Sequence, residues 1–139
     1  MNRTMYAQPG MHTAGRSSAK VLIVDDDPAI LDAVCLILED EGYEVAAAVG
    51  GNIVRIAEQE RPDIVLLDIR LSGQDGRDVC RALKTTPATA HVPVLMISAN
   101  QQGAAYAQQA GADDYLAKPF ELDDFLAKVA AWSEQRKTG

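Results

Sequence analysis

Four short apolar runs in this chain each stop abruptly at a polar residue, and that repeated pattern limits the fold more than any other feature. Val21-Leu22-Ile23-Val24 stops at Asp25-Asp26-Asp27, Ile64-Val65-Leu66-Leu67 at Asp68, and Val94-Leu95-Met96-Ile97 at Ser98, while Asp114-Tyr115-Leu116 leads into Lys118-Pro119. Residues apolar at consecutive rather than alternate positions are expected of strands covered on both faces. A fifth strand is expected over Tyr43 to Ala48, the least distinct because of its alanines.

Segments with helical spacing separate these runs. Pro28 suits a first helical turn, Ile30, Val34 and Ile37 with Leu31 and Leu38 form an apolar stripe, and Gly42 stops that helix. Further helices are expected from Gly50 to Glu60, Asp75 to Thr85, roughly Gln102 to Ala110 with Gly111 as its stop, and Glu121 to about Ser133. Their inward positions are Ile53, Ile56 and Ala57, then Val79 and Leu83, and in the last helix Leu122, Phe125, Leu126 and Val129. Trp132, near the end of that helix, is expected to pack or to meet a partner. Strand and helix in strict alternation predict an α/β protein with a doubly wound, five-stranded parallel sheet.

The 139 residues suffice for one core, expected over 20–133, with an N-terminal arm at 1–19 and a tail at 134–139. The chain holds no run of 18 apolar residues and no signal-like N-terminus, so a cytoplasmic protein without membrane contact is expected. Cys35 and Cys80, each within a helical pattern, are expected to be reduced packing residues. The net charge of -7 is uneven: Arg3, Arg16 and Lys20 fall in the first 20 residues without an acid, leaving -10 on the rest. Such a body repels a phosphate backbone, so no direct nucleic-acid binding is expected; a metal cation or basic protein partner suits it better. Gly10 to Ser17 imitates a phosphate-loop spelling, but Arg16 stands at the lysine position and no strand precedes it.

In an open parallel sheet, ligands bind beyond the carboxyl ends of the strands, near the point where strand order reverses. Asp25, Asp26, Asp68, Ser98 and Lys118 all stand at such ends. Carboxylates crowded together repel unless neutralised, and a hard divalent cation, above all magnesium, is the simple remedy. With an ammonium and a hydroxyl beside them, they describe a cradle for a phosphoryl group. The central carboxylate can itself be the nucleophile, giving an aspartyl-phosphate.

The blocks Val21 to Asp27, Asp63 to Asp68 running on to Asp75-Gly76, Val94 to Ala99, and Gly111 to Phe120 closely resemble the receiver domain of bacterial two-component response regulators, the chemotaxis regulators among them. The resemblance spans about residues 20 to 133 and implies a flavodoxin-like (βα)5 fold with strand order 2-1-3-4-5. It implies Asp68 as phosphoacceptor from a sensor histidine kinase or histidine phosphotransfer protein. Mg2+ would be bound directly by Asp26, Asp68 and the backbone carbonyl of Arg70, and by Asp25 through water. Lys118, preceding a cis bond to Pro119, would hold a phosphoryl oxygen; Ser98 would move toward the phosphoryl group and Tyr115 would turn inward, with Ala99 leaving the site reachable. The implied protein is a signalling switch rather than a metabolic enzyme, with slow self-catalysed phosphorylation and dephosphorylation. It would act on a downstream effector, or pair with a second copy, through helix four, strand five and helix five.

Three departures from that family stand out. Ser72 replaces a common proline, Arg70 overlooks the phosphoacceptor, and the Ser98-to-Lys118 spacing is about two residues short, which predicts a shortened or shifted helix four. The ending at Gly139 suggests a single-domain regulator acting by protein contact or a phosphorelay intermediate; the other readings are a receiver excised from a larger regulator or hybrid kinase, a receiver-like module that is never phosphorylated, and an aspartate-based phosphatase. The last is disfavoured because Arg70 stands where such enzymes often carry a second acid.

Overall fold

The computed structural model describes residues 19–71 and 73–138. The arm's phosphate-loop look-alike and the Ser72 substitution therefore lie outside the described residues. Five strands, β1 (Lys20–Val24), β2 (Glu44–Ala48), β3 (Ile64–Asp68), β4 (Val94–Ser98) and β5 (Asp114–Ala117), form one parallel sheet in the order 2-1-3-4-5. The helices between them are α1 (Pro28–Asp40), α2 (Ile53–Glu60), α3 (Gly76–Thr85), α4 (Gly103–Ala110) and α5 (Leu122–Thr138). The expected alternation and strand order are both present. Gly42 (φ 94°) and Gly111 (φ 85°) take the left-handed conformation just past α1 and α4, a place where a Cβ would be strained.

Register explains why the strands read as continuous apolar runs. Val21 and Ile23 face one side of the sheet and join Leu31, Cys35 and Leu38 of α1 and Phe125 and Val129 of α5. Leu22 and Val24 face the other side and join Ile53 and Ala57 of α2, Val79, Cys80 and Leu83 of α3, and Ala107 and Ala110 of α4. Both faces are dry, so neither parity of residue can be polar. Both cysteines are buried and free, and burial pushes the Cys80 thiol up to about 11, which removes its thiolate at neutral pH.

Several sequence expectations need correction. The buried face of α1 centres on Leu31, Cys35 and Leu38; Ile30 is 36% exposed because it lies one position round the helix from that centre. Leu122, expected inward, is 48% exposed at the first residue of α5, before the helix meets the sheet. Helix α2 starts at Ile53 rather than Gly50, since Asn52 caps it by accepting the Arg55 N–H. Asp75 likewise caps α3 instead of opening it. Helix α5 continues to Thr138, five residues past its expected end. No helix among the described residues is long and apolar enough to cross a membrane.

Trp132 packs, and it also hydrogen-bonds. Its indole N–H donates to Asp114 Oδ2 at 2.9 Å, and the Lys128 ammonium reaches the same oxygen at 2.9 Å, which ties α5 to β5. Burial alone would raise the Asp114 pKa, but Trp132, Lys128 and the Tyr115 N–H together hold it below its ordinary value. A carboxyl lowered in the folded state stabilises the fold above its unfolded pKa, and that contribution is lost as pH falls through the folded value. The urea midpoint of the native chain should therefore fall more steeply below about pH 4 than that of Asp114→Asn. Parallel acid limbs in the two proteins would refute this.

Candidate phosphoryl-acceptor site

The carboxyl ends of β1, β3, β4 and β5 meet at one edge of the sheet. Asp25 follows β1 directly and is 6% exposed; its Oδ1 accepts the Asp27 N–H at 2.9 Å. Asp27 in turn accepts the Ala29 N–H and caps α1, so the triple-acid run begins with a buried acid and ends with a helix cap. Asp26 is half-buried beside them.

Asp68, the last residue of β3, is fixed at both oxygens. Oδ1 accepts the Arg70 N–H at 2.9 Å, and Oδ2 accepts the Lys118 ammonium at 3.0 Å. The same ammonium lies 3.9 Å from Asp25 Oδ2. Lys118 arrives from fifty residues downstream because its own N–H bonds the Ser98 carbonyl at 2.9 Å; its bond to Pro119 is cis. Burial pushes the Asp25 carboxyl above the ordinary range; the Asp27 N–H and Lys118 oppose the rise, while the Asp68 charge adds to it.

Ser98 is buried at 1% exposure, its Oγ accepting the Asn100 N–H at 2.9 Å. Ala99 is exposed beside it. The half-buried Tyr115 sends its hydroxyl to the Ser98 carbonyl at 3.1 Å. After Asp68 the chain folds into a two-residue antiparallel ladder, Arg70–Leu71 against Gln74–Asp75. Gly76 closes that turn: its N–H bonds the Ile69 carbonyl at 2.8 Å, and a Cβ there would strike the Asp68 carbonyl oxygen.

Asp25, Asp68 and Lys118 thus meet directly, Ser98 joins them through the Lys118 N–H and Tyr115 through the Ser98 carbonyl, Asp26 stands next in sequence, and the Arg70 side chain is exposed. Sequence reading passed over the links to α4. Asp75 chelates the Arg77 guanidinium, which lies 4.3 Å above the ring of Tyr106 in α4, and the Tyr106 hydroxyl donates to Gln102. No spacing signal marks such a contact between two helices.

The donor set also bears on magnesium. Among the described residues, no three Asp, Glu, His or Cys side chains form a ready cage for a metal. That argues against a tight all-carboxylate site. It remains compatible with magnesium, which takes one or two carboxylates and retains several waters. The buried Asp25 with its raised pKa, facing Asp68, is the kind of group a hard cation would relieve.

The family model for the response regulator receiver domain matches residues 21–130. Among curated proteins, the chain is 45% identical over 115 residues to the DNA-binding dual master transcriptional regulator RpaA of a Synechocystis species, which covers 81% of this chain and 48% of that one. The chain spans about half the length of the curated relatives it matches. Among solved structures it resembles the Vibrio cholerae chemotaxis protein CheY4, with TM-score 0.76, 28% identity and coverage of 84% of this chain and 99% of that one. It also resembles the receiver domain of the Pseudomonas aeruginosa sensor histidine kinase PA1611, solved with a magnesium ion coordinated in its active-site cleft, with TM-score 0.76, 32% identity and coverage of 85% and 99%.

Proposed function

The chain belongs to the response regulator receiver family, and from that premise we propose that it is a magnesium-dependent phosphoacceptor switch with Asp68 as the acceptor. The observation that carries this reading is the position of Lys118, whose ammonium bonds Asp68 Oδ2 and stands near Asp25, as a countercharge for oxygens gathered there must.

An Asp68 carboxylate oxygen attacks the phosphorus of a phosphohistidine on a kinase or phosphotransfer protein. The P–N bond breaks, the imidazole leaves with its electron pair, and an acyl phosphate forms at Asp68. Lys118 can follow the negative charge from the carboxylate to a phosphoryl oxygen without leaving the crevice. Ser98 Oγ accepts the Asn100 N–H and keeps its own proton to donate, so a turn of that hydroxyl toward a phosphoryl oxygen is felt directly by the β4–α4 loop. Tyr115, bonded to the carbonyl of Ser98, shares that loop and carries the change toward α4, β5 and α5. A bound magnesium ion would be held by Asp26, Asp68 and the Arg70 carbonyl, with Asp25 reaching it through water, and would offset the charge of the carboxylates and of the entering phosphoryl oxygens. The partners are a histidine kinase or phosphotransfer protein upstream and an effector protein downstream.

Incubating the native chain with magnesium and a small phosphodonor should give a covalent phosphoryl adduct by intact mass, absent when the metal is chelated. Beryllium fluoride should perturb amide resonances around Asp68, Ser98 and Lys118. A native chain that gains no mass and shows no such perturbation would refute the proposal.

A further inference from the structure

Gly103 opens α4 in a conformation that does not call for glycine: it is absent from the residues with positive φ, and its N–H bonds the Asn100 carbonyl at 3.0 Å like that of any residue. Glycine is also a poor helix former, so its presence at this position needs another cause. The cause is steric. A Cβ built there would collide with the Tyr115 hydroxyl oxygen and lie 2.6 Å from its Cζ and 2.7 Å from its Cε1. The ring therefore rests directly over the first turn of α4, in the space a side chain would fill. Its hydroxyl donates to the Ser98 carbonyl at 3.1 Å with the Asn100 carbonyl at 3.4 Å, so it ties the β4–α4 loop to β5.

We infer that Gly103 is a positioning residue for Tyr115: the missing side chain is the seat that lets the ring lie over the first turn of α4. The collision is with the far end of a side chain rather than with backbone, so a methyl group at 103 would displace the ring and not the helix. Tyr115 would swing outward, lose both carbonyls and release the β4–α4 loop. The seat stands independently of phosphorylation; its bearing on signalling rests on the switch proposed above.

The test uses the full chain and three variants, Gly103→Ala, Tyr115→Ala and the double variant. In Gly103→Ala, the contacts between the Tyr115 ring and the start of α4 seen by nuclear Overhauser spectroscopy should disappear, and Tm should fall by a few degrees. In the Tyr115→Ala background, where no ring competes for the space, Gly103→Ala should instead raise Tm, because alanine is the better helix former. A reversal of sign is not expected from a glycine that is merely structural. Ring contacts that survive in Gly103→Ala, or an equal loss of Tm in both backgrounds, would overturn the inference. With beryllium fluoride and magnesium, the amide shifts that the native chain shows in α4 and β5 should shrink in Gly103→Ala. Unchanged shifts there would overturn the link to signalling. A native chain that does not respond at all would refute the phosphoacceptor reading, with the seat still judged on the ring contacts and the sign of the Tm change.

Discussion

Asp68→Asn will remain unphosphorylated under conditions that load the native chain, with the rate of adduct formation down by about three orders of magnitude or more. The substitution keeps size and shape, and the amide oxygen can still accept either the Arg70 N–H or the Lys118 ammonium, which now hold one oxygen each. What it removes is the anionic nucleophile. Asp25 provides a built-in control, since it also lies near Lys118 but is buried, raised in pKa and engaged with the Asp27 N–H. Peptide mapping of the loaded native chain should place the adduct on Asp68. An adduct on Asp68→Asn equal to that of the native chain would move the chemistry to a neighbouring acid and end the assignment.

Phe125→Ala will cost about 3–5 kcal/mol, a large share of the roughly 5–15 kcal/mol that holds a domain of this kind. Phe125 is 1% exposed, heads the fully buried side chains by size, and stacks on Phe120 with centroids 5.2 Å apart. It seals the face of the sheet covered by α1 and α5. Because Phe120 follows the Lys118-Pro119 pair, loss of its stacking partner should also loosen the approach of Lys118 to the site. Urea unfolding should show the drop in midpoint, and a loss below about 1 kcal/mol would mean that the cavity collapses without penalty.

Strand identity and the gathering of Asp25, Asp68, Ser98 and Lys118 were legible because both follow from short-range patterns combined with one topological rule. A continuous apolar run reports two covered faces, and parallel order brings the strand ends together. Helix boundaries were less legible. Past Ser133 the residues Glu134, Gln135, Arg136 and Lys137 are good helix formers with no stop signal, so periodicity gave no end for α5 before Thr138. Asn52 and Asp75 could have been read as caps, but the apolar or helical residues around them blurred the start. The expected bounds of α4, roughly Gln102 to Ala110, lie within one residue of Gly103–Ala110. What that short segment rests on was not legible. The placement of Tyr115 over Gly103, of Arg77 over Tyr106 and of Trp132 on Asp114 depends on side chains from separate elements, and no local spacing encodes them.

The two cores on opposite faces of the sheet have a further consequence. Side chains that anchor α1 and α5 belong to one cluster, and those that anchor α2, α3 and α4 belong to the other, with only strand backbone between them. Substitutions that retune the surface of α1 need not disturb the packing under α4, and the reverse holds as well, since sites without shared neighbours act additively. Because α4 and α5 lie on opposite faces, the surface formed by α4, β5 and α5 straddles both clusters, so each of its helices can be altered one layer at a time around an unaltered row of strand ends.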